Sequence, residues 1–84
     1  MGERKVERTN GFDNALKPIK DKGLKVRISK QIEKVIANPE IGKPMMNARK
    51  GTREVYVSPF RLSYSHDKEK DILYLLEVYH KDEQ

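Results

Sequence analysis

Arg61 interrupts the stretch Phe60–His66, FRLSYSH, and His80 closes the stretch Ile72–His80, ILYLLEVYH. Both read as strands, so a permanent cation and a titratable ring stand where a sheet would otherwise carry aliphatic side chains. A guanidinium is planar and donates in a fork, which suits phosphate or carboxylate oxygens. Alternation groups Phe60, Leu62, Tyr64 and His66 on one face of their strand and Arg61, Ser63 and Ser65 on the other. With helices over the Leu62 face, Arg61 projects from the open face. There it either clamps a phosphate or pairs with Glu54 or Glu77.

Strict alternation in the last strand sets Glu77, Tyr79 and Lys81 on one face and Val78 with His80 on the other. His80 therefore needs a twist at the strand end to join Arg61, and without it is a solvated surface residue. His66 opens a charged turn and is read as a surface residue. Tyr56 and Tyr79 either stack on bases or fill the sheet surface. The two histidines are fourteen residues apart, cysteine is absent and the carboxylates are scattered. No metal-ligand spacing or glycine-rich phosphate loop emerges, so no metal or cofactor is expected, and any phosphodiester chemistry falls to side chains alone.

The elements that must hold these residues come from a chain of 84 residues, enough for one small domain. Residues 4–81 are expected to form it, with 1–3 and 82–84 as tails. A chain this short buries about 60% of its unfolded surface, and 36% hydrophobic residues make a thin core. Eighteen Lys and Arg against thirteen Asp and Glu give a net charge of +5, which favours an anionic partner such as nucleic acid or a ribosomal surface. No apolar run nears the roughly 18 residues of a membrane span, and the start of the chain is not signal-like. A soluble cytoplasmic protein with no membrane partner is expected.

Arg4–Thr9 alternates around Val6 and predicts a short, charged edge strand. Asn10 is placed to cap a helix carrying Phe12, Leu16 and Ile19, with Asp13 in its first turn. That helix is expected to run to about Lys22, bent or shortened by Pro18, and to close at Gly23. From Leu24, the residues Ile28, Ile32, Val35 and Ile36 make one stripe of a second helix, which stops before Pro39. Glu40–Thr52 reads as a connecting loop. Three strands follow: Arg53–Val57, Phe60–His66 and Ile72–His80. The order β-α-α-β-β-β is α+β, an antiparallel meander packed by an N-terminal helical hairpin, with the long last strand central and covered on nearly both sides.

In that order the phrases VERTNGFDNALKPIKDKGL (6–24), QIEKVIANPEIGKPM (31–45), GTREVYVSPFRLSY (51–64) and ILYLLEVYHKD (72–82) resemble the RelE/ParE superfamily of toxins from type II toxin–antitoxin modules. The resemblance spans nearly the whole chain, and REVYVSPFRLSY is its most specific part. It implies the same fold, an antitoxin (RelB-like) that wraps the toxin and, for the RelE branch, ribosome-dependent cleavage of mRNA. Arg61 matches the family arginine near the scissile phosphate, and His80–Asp82 resembles the basic motif closing the last strand. Where well-known RelE enzymes carry lysines on the preceding strand, this chain has Thr52 and Glu54.

The implied reaction is attack of a ribose 2′-hydroxyl on its own 3′-phosphate. Arg61 would neutralise the transition state and His80 exchange protons, with Glu54 or Lys81 as partner. Arg49, Lys50, Arg53, Tyr56 and Tyr79 make up the expected RNA-contacting set. The alternative from another class is a non-catalytic ParE-type toxin that inhibits gyrase, or a relic that binds only its antitoxin.

Overall fold

The computed structural model describes residues 4–45 and 51–83. Its elements are β1 (Lys5–Arg8), α1 (Asn10–Leu16), α2 (Lys22–Ala37), β2 (Lys43–Pro44), β3 (Arg53–Val57), β4 (Phe60–Asp67) and β5 (Ile72–His80). A 3-10 turn, Lys81–Glu83, follows β5. The sheet order is β1-β5-β4-β3-β2. β3, β4 and β5 form the antiparallel meander, whereas β1 joins β5 in parallel and makes one edge of the sheet. β2 falls within the stretch read as loop: its two residues pair with Glu54 and Arg53 and make the other edge.

Both helix starts are set by side-chain caps. Thr9, one residue before the expected cap, accepts from the Phe12 N–H at 3.1 Å and donates its hydroxyl to the Leu76 carbonyl at 2.8 Å. α1 then stops at Leu16 rather than near Lys22: Lys17 caps it, still in helical geometry, and Pro18 after it has no N–H to extend the ladder. Gly23 is not a terminator. It lies in the first turn of α2, whose cap is Asp21, accepting from the Leu24 N–H at 3.1 Å.

α1 lies over β5 and α2 over β3, covering one face of the sheet. Phe12, Ile19, Leu24, Ile28 and Val35 meet Val55, Val57, Leu62, Tyr64, Leu73, Leu75 and Val78 in the core. β5 is flanked by β1 and β4 but is covered on one face only. Leu73, Leu75 and Val78 are buried while Tyr74, Leu76 and Tyr79 remain half-buried, since no second layer exists among the described residues.

A bulge in β5 sets up the open face. Ser63 pairs with Glu77 but Tyr64 pairs with Leu75, leaving Leu76 as the extra residue. Leu73 and Leu75 point into the core, and uninterrupted alternation would send Glu77 and Tyr79 after them. The extra residue inverts the phase, so Val78 enters the core and Tyr79 turns to the side of Arg61.

Candidate active site

Three strands bring the polar residues of the open face together. Arg61 on β4 pairs in register with Tyr56 on β3 and with Tyr79 on β5. Glu54 lies two residues from Tyr56, a diagonal neighbour within reach of a long side chain. Its Oε1 accepts from the Arg61 guanidinium at 2.9 Å, and its Oε2 accepts from the Tyr79 hydroxyl at 2.6 Å. The Glu54 side chain is 13% exposed and that of Arg61 32%. Lys43, in register with Glu54, and Lys81, just past β5, join them with Val55 and Tyr56 around a recess of about 330 Å³. The recess thus holds the cations Lys43, Arg61 and Lys81 against the carboxylate of Glu54.

Of the residues singled out from sequence, Arg61, Glu54, Lys81 and Tyr56 line this recess, and Tyr79 reaches it through its hydroxyl bond to Glu54. Arg61 does project from the open face, and its partner is Glu54, one of the two acids considered. His80 does not join them. It pairs with Phe60, packs edge-to-face on that ring at a centroid distance of 5.6 Å, and its Nδ1 accepts from the Asp82 N–H at 3.2 Å. No strand-end twist turns it toward Arg61. Arg53 is directed elsewhere: its guanidinium donates to the carbonyls of Gly42 at 2.8 Å and Glu40 at 3.2 Å, pinning the chain that leads into β2. Arg49 and Lys50 lie outside the described residues. Lys43 went unnoticed in the sequence because a two-residue strand leaves no periodicity to read.

His66, read as a surface residue, is largely covered and sits 2.8 Å from the Asp71 carboxylate. Asp71 also accepts from Arg4 at 2.7 Å, and Arg4 in turn reaches the Ile36 carbonyl at the end of α2. The hydrogen bond from Arg4, and then that from His66, holds the Asp71 carboxyl below the usual carboxylate range. This clasp joins β1, the β4–β5 hairpin and α2. It lies at the opposite end of β4 from Arg61.

The family model of the ParE toxin of the type II toxin–antitoxin system parDE matches residues 6–84. The chain therefore belongs to the ParE toxin family of type II toxin–antitoxin systems. Curated protein sequences contain no match to it. Among solved structures, the toxin–antitoxin complex RelBE2 from Mycobacterium tuberculosis includes a similar chain, with 22% identity and a TM-score of 0.80 over 95% of this chain and 100% of that one. YafQ from E. coli is similar at 19% identity and a TM-score of 0.76, covering 95% and 96% of the two chains. The YoeB/ParE toxin from Agrobacterium tumefaciens is similar at 15% identity and a TM-score of 0.78, covering 90% and 96%. These likenesses establish the α+β toxin fold.

Proposed function

We propose that this toxin is an mRNA endoribonuclease acting on ribosome-bound message in the cytoplasm. The observation that supports this reading is the recess itself, in which an arginine, a carboxylate and flanking lysines occur together on an open, exposed sheet face. Cleavage by a 2′-hydroxyl needs a proton acceptor, charge stabilisation at phosphorus and a proton donor for the leaving group. In this scheme Glu54 takes the 2′-hydroxyl proton as that oxygen bonds to phosphorus. Arg61 binds the non-bridging oxygens as their charge builds. The bond from phosphorus to the 5′-oxygen breaks, and the Lys81 ammonium supplies the proton that makes it a hydroxyl, leaving a 2′,3′-cyclic phosphate. His80 then serves through Phe60 and the Asp82 backbone, holding the strand end from which Tyr79 and Lys81 project. Ordering of the message by the ribosome contributes the alignment such a shallow recess lacks.

A RelB-like antitoxin is the partner in this reading. A groove of about 570 Å³ between α1, α2 and β1 is floored by the half-buried Val6, Leu16 and Ile32 and the buried Ile28, and rimmed by Lys17, Lys25 and Arg8, the last paired with Asp13. Apolar floor and basic rim fit an amphipathic helix with acidic flanks. A saturating antitoxin should raise the unfolding midpoint by linkage.

The second reading is a non-catalytic ParE-type toxin directed at gyrase. Two observations favour it: the matching family model is that of ParE toxins, and the Arg61 charge is already engaged by Glu54. Expression without an antitoxin separates the two. Messages cut within codons on stalled ribosomes support the nuclease, whereas intact messages with accumulating double-strand DNA breaks would identify the gyrase inhibitor.

A further inference from the structure

Arg61 is the residue a phosphate would seek, yet an anion is already on it. Glu54 uses both carboxylate oxygens at once, one on the Arg61 guanidinium and one on the Tyr79 hydroxyl. The bond from Tyr79 is 2.6 Å long and anchors Oε2 independently of Arg61. The carboxylate is also the less exposed member of the ion pair, 13% against 32% for Arg61, so it is seated in the recess and not draped over its rim. A phosphodiester oxygen seeking the NH1 of Arg61 has to compete with Glu54 Oε1, 2.9 Å away.

We infer that Glu54 is a built-in counter-anion that occupies the phosphate position on Arg61 and has to be displaced when substrate enters, a role that rests on the nuclease reading above. The surroundings allow that exchange. Tyr79 keeps hold of Oε2 while Oε1 leaves Arg61, so the carboxylate pivots and stays inside the recess. Lys43 stands directly opposite Glu54 across the β2–β3 pair, where side chains share a face, and offers the displaced carboxylate another cation. Free toxin then carries a muted anion site, and only an RNA held firmly enough to expel Glu54 gains Arg61. Release also frees a carboxylate beside the bound phosphate, where the 2′-hydroxyl proton has to go.

The test measures binding of a short single-stranded RNA with 2′-O-methyl riboses, which cannot be cut, to purified toxin by fluorescence anisotropy across a salt series. Glu54→Gln keeps an acceptor for Tyr79 and removes the charge. It should bind about tenfold more tightly than wild type, the scale of one close charge pair. Its salt dependence should steepen by about 0.7 in log–log slope, as for one more phosphate neutralised on a single strand. The gain should vanish in the Glu54→Gln/Arg61→Ala double variant, an outcome that loosened packing alone would not produce. Glu54→Ala provides a second variant should the glutamine form fold poorly. Unchanged or weaker binding by both Glu54 variants would overturn the proposal, as would a gain that survives loss of Arg61. Message cleavage on ribosomes is scored separately. A wild type that never cuts, with the Arg61-dependent gain intact, removes the nuclease and keeps the counter-anion. A wild type that cuts, with no gain in the variants, does the reverse.

Discussion

Two arginine–tyrosine pairs face each other across neighbouring strands, and they have opposite fates. Arg53 is in register with Tyr64, and Arg61 with Tyr79. In the first pair the bonds end on main chain: Arg53 donates to the Gly42 and Glu40 carbonyls, while the Tyr64 hydroxyl donates to the Pro39 carbonyl at 2.7 Å and accepts from the Gly42 N–H at 2.8 Å. Tyr64 is fully buried, and burial pushes its hydroxyl pKa up despite the Gly42 bond and the Arg53 charge. In the second pair both groups end on one carboxylate that a ligand can reach. Main-chain partners cannot leave without unfolding, whereas a side-chain anion can be exchanged. The same two residue types therefore build a brace on one side of the sheet and an addressable site on the other.

The sharpest way to break that contrast is Arg61→Ala. It should lower toxicity about a hundredfold or more, since loss of a transition-state charge contact costs about 3 kcal/mol. Its stability cost should stay near or below about 1 kcal/mol, as for a partly exposed ion pair. Arg61→Lys should restore toxicity only in part, because an ammonium lacks the fork. Growth arrest is to be compared with the unfolding midpoint of each variant. A toxic Arg61→Ala, or one that is harmless only because it is unfolded, would make Arg61 structural like Arg53.

Gly42→Ala attacks the brace. A Cβ there would run into the Tyr64 hydroxyl and stand 2.8 Å from its Cε1 and 2.9 Å from the Glu54 carbonyl oxygen. Ring and strand are both packed, so the chain has to shift, at a cost of about 3 kcal/mol in denaturant unfolding. Tyr64→Phe is milder. It strands the Gly42 N–H and the Pro39 carbonyl, and should cost about 2 kcal/mol. RNA binding per folded molecule should be retained in both. A Tyr64→Phe protein of wild-type stability would show that water replaces the hydroxyl and that the brace is dispensable.

The contrast between the two pairs was only half legible in the sequence. The faces of β4 follow from alternation, so Leu62 and Tyr64 inside and Arg61 outside could be read directly, and the stripe of α2 was as plain. Alternation at the end of β5 sets Tyr79 opposite Val78 and His80, which agrees with its place beside Arg61. Counting forward from Leu73 and Leu75 gives the opposite answer, and that disagreement in phase is itself the mark of the bulge at Leu76. Arg53 looked like an RNA contact because sequence records charge and not direction; its target, the chain leading into β2, lies in a stretch with no periodicity. His80 drew attention as an imidazole at a strand end, but alternation already set it beside Val78, and the structure keeps it against Phe60. Thr9 and Asn10 are both good caps, and the choice between them was settled by the Leu76 carbonyl, a contact far away in sequence.

The smallest expected effect uses acid to divide charge-held from main-chain-held contacts. The Arg4–Asp71–His66 clasp contains both kinds, since Arg4 bonds the Asp71 carboxylate and also the Ile36 carbonyl. Asp71 has a folded pKa below its unfolded value of about 4. A group depressed in this way stabilises the fold fully above the unfolded pKa and loses that contribution as pH falls through the folded one. The difference in unfolding midpoint between wild type and Asp71→Asn should therefore shrink as the pH falls below about 4. Subtracting the variant removes whatever the two proteins have in common. The effect should be small because Asp71 is exposed and its pairing is screened by solvent. Tyr64→Phe, which alters bonds to main chain alone, should show a difference from wild type that does not move over the same acid range. If the Asp71 difference also stays flat, the clasp is held by the Arg4 bond to Ile36, and this junction belongs with the Arg53–Tyr64 brace rather than with the exchangeable site.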